Sequence, residues 1–137
     1  MTEEDGVTLA VCAEMVFRDL PMIDRVREIS ARGFSVEIWD WTRHDIDALA
    51  ATGADFTSMT GYIRGTLADD LGADELLATA AESIPIARKL GIPRLNLHGT
   101  GLDSNGLPVR PSCGETGAMW LKAYDTLSRI AELGEKH

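Results

Sequence analysis

The sequence is short of cationic side chains and of long apolar runs. It holds 13 Lys and Arg against 22 Asp and Glu, which gives a formal net charge of −9. It therefore lacks the basic surface with which proteins bind nucleic-acid backbones or anionic membranes. No apolar run approaches the roughly 18 residues of a membrane-spanning helix. The acidic start, Met1 to Asp5, is unlike a secretory or transit peptide.

Cysteine is equally scarce. Cys12 and Cys113 are the two cysteines, and no C-x-x-C spacing is present. We read them as reduced thiols in a cytoplasmic protein. With 137 residues, 45% of them hydrophobic, the chain can bury a sizeable core, and we expect one domain over 1–137.

Short β-rich apolar segments alternate with helical ones along the whole sequence. The predicted strands cover 7–13, 34–39, 55–60 and 94–98, and the predicted helices cover 21–32, 43–51, 74–90 and 118–133. Such alternation predicts an α/β fold with a parallel sheet and right-handed crossovers. Four β/α units are half of a (β/α)₈ TIM-type barrel, so we expect a half-barrel. A small doubly wound domain is the weaker alternative, because the polar face described below argues against it.

Three details of the predicted helices can be checked. Thr42 is the expected N-cap of the second helix. Pro85 should kink or split the third helix. The fourth helix is expected to bury one apolar face, made of Leu121, Leu127, Ile130 and Ala131.

Polar and aromatic side chains share one parity of the predicted strands. Glu37 and Trp39 oppose Val36 and Ile38 in the second strand, and in the fourth strand the polar positions are Asn96 and His98. Side chains alternate across a strand, so these residues should face the barrel interior at the carboxyl ends of the strands. Ligands bind at that end of parallel α/β sheets.

Each of these residues also has a structural interpretation. Glu37 could pair with Arg43 or Arg64, and His98 could hold a loop carbonyl. Trp39 could serve packing, although tryptophan faces also suit the C–H surfaces of a sugar. Glu14, which follows the first strand, has the parity of the residues expected to face the barrel interior, but it is best read as a solvated loop residue.

The strand-end runs resemble hydroxypyruvate isomerase, a member of the xylose-isomerase-like TIM barrels that also include sugar epimerases and endonuclease IV. The resemblance is carried by Cys12-Ala13-Glu14-Met15-Val16-Phe17, then Gly33-Phe34-Ser35-Val36-Glu37-Ile38-Trp39, then Asn96-Leu97-His98-Gly99. It covers essentially the whole chain but only the first half of such an enzyme.

The resemblance implies interconversion of hydroxypyruvate and tartronate semialdehyde, an aldose–ketose type isomerisation through an enediol. The catalytic glutamates and the ligands of a divalent metal lie on later strands of that family, so no catalytic or metal-binding residue is assigned here. The expected substrate contacts are Glu37, Trp39, Asn96, His98 and Gly99, with the loop 99–114 as a cover.

The expected ligand is a short hydroxy-keto acid or sugar, and nucleic acid and membrane are not expected partners. Exposed sheet edges favour self-association or pairing with a second half-barrel. We expect little or no isomerase activity from the 137-residue chain alone. The alternative is a non-catalytic binding or assembly module.

Overall fold

The chain folds into alternating strands and helices around one parallel sheet. The computed structural model describes residues 7–100, 103 and 115–137. The strands are β1 (Ala10–Cys12), β2 (Ser35–Ile38), β3 (Phe56–Thr60) and β4 (Arg94–Asn96), and the helices are α1 (Met22–Ala31), α2 (Ile46–Ala51), α3 (Asp70–Leu90) and α4 (Gly117–Glu135). The sheet order is β1-β2-β3-β4. This sequential order confirms four β/α units of the barrel type, without the reversal of strand order found in doubly wound folds.

The described residues divide into two compact units. Unit 1 runs up to Met59 and adds Ala87–Leu95, and unit 2 contains Thr60–Ile86 and the described residues from Asn96 onward. The predicted cover, 99–114, lies outside the described residues apart from Gly99, Thr100 and Asp103.

The core of unit 1 is made by one face of β2 and β3. Val36, Ile38, Phe56 and Met59 are all at most 3% exposed, and helix α2 adds Leu49 at 0%. Val36 pairs with Phe56 and Ile38 pairs with Met59 between neighbouring strands. These side chains turn one face of β2 into the core, which leaves Glu37 on the other face.

Aspartates begin the short helical segments after β2, so the predicted Thr42 cap is wrong. A 3₁₀ turn (Trp41–Arg43) starts at Asp40, whose carboxylate accepts the Thr42 amide at 3.0 Å. Helix α2 starts at Asp45, whose carboxylate accepts the Ala48 amide at 3.0 Å. A carboxylate satisfies a free N-terminal amide and suits the positive end of the helix dipole.

Helix α3 begins four residues earlier than predicted. The Asp69 carboxylate accepts the Gly72 amide at 2.7 Å, which caps a first turn that the glycine-rich sequence had suggested was a loop. Pro85 lies inside one continuous helix, so the predicted alternative of a split helix is wrong.

Helix α4 buries a different face from the predicted one. Leu121 and Leu127 are 74% and 43% exposed, and Ala131 is also exposed, which contradicts their predicted burial. The buried centre of the helix is Thr126, whose hydroxyl donates to the Leu67 carbonyl at 2.9 Å. Ile130 and Leu133 pack beside it against a small core in unit 2, made of Tyr62, Leu76 and Ala80.

Within the described ranges, no helix is both long enough and apolar enough to cross a membrane.

Candidate functional site

A row of polar side chains crosses three strands of unit 1. Cys12 of β1 pairs with Glu37 of β2, and Glu37 pairs with Ser58 of β3. The Ser58 hydroxyl donates to Oε1 of Glu37 at 2.8 Å. The register shifts between Val36 and Glu37, which is the kind of irregularity that re-aims side chains beside functional sites. We call this row, together with Glu14, Trp39 and His44, the strand-end cluster.

Glu14 is the centre of the strand-end cluster, and its predicted exposure as a solvated loop residue is wrong. Its side chain is 17% exposed. Oε1 accepts the Trp39 amide at 2.9 Å and faces Nε2 of His44 at 2.9 Å. Oε2 accepts the Cys12 thiol at 3.3 Å. A partly buried carboxylate with these partners is held in one orientation.

The loop after β1 is itself fastened on both sides, which explains the placement of Glu14. The Ala13 amide donates to the Glu37 carbonyl at 2.9 Å, and Ala13 is fully buried. The Arg25 guanidinium on α1 donates to the carbonyls of Leu20 at 2.7 Å and Arg18 at 3.0 Å. The loop is thereby tied to β2 at one end and to α1 at the other.

His44 was missed by the sequence-based reasoning. It lies between the 3₁₀ turn and α2, where its amide donates to the Trp41 carbonyl at 3.2 Å. Its side chain is 11% exposed. The sequence offered one signal for His44, the two capping aspartates Asp40 and Asp45. Asp40 begins the 3₁₀ turn and Asp45 begins α2, so together they place His44 shortly after β2.

The surroundings of Glu14 and Cys12 set the protonation states of these two side chains. Burial alone would raise the pKa of Glu14, but the hydrogen bonds from His44, the Trp39 amide and Cys12 outweigh it and hold that pKa below its usual range. Burial, followed by the negative charge of Glu14, raises the pKa of Cys12 to about 12. At neutral pH Glu14 is therefore a carboxylate, and Cys12 is a thiol rather than a nucleophilic thiolate.

Two predicted substrate contacts, Glu37 and Trp39, belong to the strand-end cluster. Glu37 bonds to Ser58, whereas Arg64, one of its two suggested partners, pairs with Glu75 at 3.1 Å. Trp39 remains 43% exposed. Their role as contacts stays a prediction.

The other three predicted contacts, Asn96, His98 and Gly99, belong to unit 2. Asn96 ends β4, and its carbonyl accepts the Gly61 amide at 2.8 Å. His98 is exposed, and its ring centroid lies 6.5 Å from that of Tyr62 at an interplanar angle of 50°. Gly99 has a φ of +76° and accepts the Leu67 amide at 3.1 Å, a backbone conformation that favours glycine. Their role in binding likewise stays a prediction.

The metal expected from the family resemblance finds no ligand set in the described part of the chain. Among residues 7–100, 103 and 115–137, no group of three or more His, Cys, Asp or Glu side chains is arranged to hold a metal ion. We therefore derive no chemistry through a metal from these residues. What the strand-end cluster offers is hydrogen-bond acceptors of fixed orientation beside an exposed aromatic face.

The fold belongs to the class of TIM-barrel-like β/α proteins, and comparison with known proteins supports that class. The chain is similar to a solved structure described as "Crystal structure of AP endonuclease, family 2 from Brucella melitensis", with a TM-score of 0.70 and 16% sequence identity. The match covers 96% of this chain and 52% of that one, so the chain spans about half its length. No family model matches the sequence. No curated protein matches it either. At this identity the likeness shows the fold.

Proposed function

We propose that the strand-end cluster is one wall of a binding site for a short hydroxy-keto acid or sugar. In this proposal the chain supplies half of an isomerase site of the hydroxypyruvate isomerase type, within the xylose-isomerase-like barrels. The support is the resemblance of the strand-end runs, together with a TIM-barrel-like neighbour about twice as long as the matched part.

The observation that carries the proposal is the pair of oriented carboxylates, Glu14 and Glu37. Both lie at the carboxyl ends of parallel strands, where ligands bind in such folds. Among the described residues, both are held by hydrogen bonds to groups other than arginine. Carboxylate oxygens accept hydrogen bonds from ligand hydroxyls, and Trp39 beside them presents an apolar face to ligand C–H groups.

An enediol isomerisation also needs a base at carbon and a group that stabilises the enediolate. The family resemblance assigns those roles to later strands. We therefore expect the 137-residue chain to bind hydroxypyruvate without converting it.

The test is calorimetric titration of the purified chain with hydroxypyruvate, run beside a turnover assay with a magnesium or manganese salt supplied. We expect binding and no turnover. Trp39→Ala should weaken binding about tenfold, because it removes the aromatic side chain that the proposal places against the ligand. Trp120→Ala, the same chemical change at an exposed position on α4, is the matched control and should have no effect. Turnover by the chain alone, or equal affinity of Trp39→Ala, contradicts the proposal.

We do not propose an endonuclease activity of the kind named in the description of the structural neighbour. DNA binding depends on cationic side chains that replace counterions along the phosphates. With 22 acidic against 13 basic side chains, this chain is poorly suited to that task.

A second candidate function, an assembly module, is favoured by one observation on α4. Trp120, Tyr124 and Leu127 follow helical spacing and are 70%, 74% and 43% exposed. We call these three residues the α4 stripe. Such spacing forms one continuous helix face, and tryptophan and tyrosine are enriched at protein interfaces. We propose that the α4 stripe packs against the same stripe of a second copy, as a two-fold dimer requires.

Light scattering after size-exclusion chromatography tests this second candidate. Each copy carries a charge of −9, so added salt should screen the repulsion and raise the dimer fraction. Tyr124→Gln should shift the protein towards monomer, whereas Leu71→Gln, at an isolated 89% exposed leucine, should not. A monomer at all salt concentrations, or a dimer insensitive to Tyr124→Gln, contradicts it.

A further inference from the structure

The hydrogen bond between Glu14 and His44 determines which ring nitrogen of His44 carries the proton. Glu14 is a carboxylate at neutral pH, because its pKa lies below the usual range. A carboxylate only accepts hydrogen bonds. Nε2 of His44, 2.9 Å from Oε1 of Glu14, must therefore be the donor. In the neutral ring this leaves Nδ1 without a proton, as an acceptor.

The protein engages one ring nitrogen of His44. Among the described residues, Nε2 bonds to Glu14 and Nδ1 has no hydrogen-bond partner. The side chain of His44 is 11% exposed, so part of it remains accessible.

Three other acceptor atoms of the strand-end cluster already have partners. Oε1 of Glu14 accepts two bonds and Oε2 accepts the Cys12 thiol. Oε1 of Glu37 accepts the Ser58 hydroxyl. A neutral imidazole acceptor of fixed tautomer suits a hydroxyl donor better than it suits a second carbonyl oxygen, which would bring two acceptors together.

We propose that His44, oriented by Glu14, accepts a hydrogen bond at Nδ1 from a hydroxyl group of the bound ligand. This inference rests on the proposed function and names the feature of the ligand that the site selects. It assigns His44 to binding and specificity, and Glu14 to the positioning of the ring. A site built to bond a hydroxyl discriminates against the analogue that lacks it, because the acceptor is then left unpaired.

The first test compares hydroxypyruvate with pyruvate, which lacks the hydroxyl, by titration of the purified 137-residue chain. We expect hydroxypyruvate to bind about tenfold more tightly. His44→Phe keeps the ring shape and leaves Glu14 its bonds from Trp39 and Cys12. In that variant the preference for hydroxypyruvate over pyruvate should fall to near unity.

The possible outcomes distinguish the role of His44 from the proposed function. Equal binding of both acids to the wild type, or an unchanged preference in His44→Phe, overturns the role of His44 and leaves the proposed function standing. Binding of neither acid overturns the proposed function and this inference with it.

The second test needs no variant, so it holds even if His44→Phe fails to fold. Two-bond proton–nitrogen NMR spectra of the nitrogen-15 labelled chain, at about pH 8.5 where an imidazole is neutral, distinguish the two tautomers. We expect His44 with the proton on Nε2, and a change in its Nδ1 shift when hydroxypyruvate is added. A proton on Nδ1 in the free chain, or an Nδ1 shift that hydroxypyruvate leaves unchanged, overturns the inference.

Discussion

The two units of this chain differ in which side chains they bury and which they expose. In unit 1, polar groups at the strand ends are partly buried and bonded to one another, with Glu14 accepting from three different residues. In unit 2, the α4 stripe leaves large apolar side chains exposed. Partly buried polar groups with fixed partners favour one geometry and one ligand chemistry. Exposed apolar surface of this kind favours association. We therefore expect small-molecule recognition in unit 1 and association in unit 2.

The largest expected effect on the free energy of unfolding comes from replacing a closely packed glycine of unit 2 with alanine. The matched change is at a glycine of unit 1 that has open space beside it. Gly65 and Gly33 have φ values of +108° and +79°. A Cβ on Gly65 would lie 2.6 Å from Cα of Leu76, whereas a Cβ on Gly33 would meet nothing within 4 Å. Gly65→Ala should therefore cost roughly 3 kcal/mol or more through strain and overpacking, against about 1 kcal/mol for Gly33→Ala.

Urea unfolding of both alanine variants measures this contrast. The comparison breaks down if the two substitutions cost the same free energy of unfolding, because the close packing around Gly65 would then have no energetic consequence.

The next effect tests whether the strand-end cluster is as tightly held as its hydrogen bonds indicate. Glu14→Ala removes an acceptor of three bonds and should lower the free energy of unfolding by about 2–3 kcal/mol. Glu28→Ala, which removes an exposed helical ion pair with Arg32, should cost at most about 0.5 kcal/mol. Chemical denaturation of the pair provides the measurement, and a cost below 1 kcal/mol for Glu14→Ala would show that the cluster is loosely held.

The smallest expected effect is a change with pH in the contribution of Glu14 to stability. The pKa of Glu14 is lowered on folding, so its stabilising contribution is fully present above the ordinary glutamate pKa and is lost as the pH falls through the lower folded value. Glu14→Gln does not titrate. The stability gap between wild type and Glu14→Gln should therefore narrow as the pH falls from above the ordinary glutamate pKa through the lower folded value, as followed by thermal unfolding. A gap that widens in acid would reverse the assigned direction of the pKa shift.

The order of elements could be predicted from the sequence because its signals are local. Glycines such as Gly33 and Gly53, both at positive φ, end their helices where the sequence indicated. The alternation of β-rich and helical segments then led to the parallel sheet. Glu37 could be placed at the end of β2 because strand periodicity assigns its face before any tertiary contact is known.

The centre of the candidate site could not be predicted, because it depends on contacts between distant parts of the chain. Glu14 and His44 are 30 residues apart, and no local pattern marks either as a partner of the other. The buried face of α4 was missed for a similar reason. Its leucines suggested one face, but the hydroxyl of Thr126 finds its partner on Leu67, 59 residues away, and the helix is turned accordingly.

The central claim is that the strand-end cluster binds a short hydroxy-keto acid. The most direct measurement is amide NMR mapping of the nitrogen-15 labelled chain during titration with hydroxypyruvate. We expect saturable changes in the amide chemical shifts of Glu14, Glu37, Trp39 and His44, with the residues of the α4 stripe unchanged. Shifts confined to α4, or none at ligand concentrations of about 10 mM, well above the millimolar range of a weak site, would contradict it.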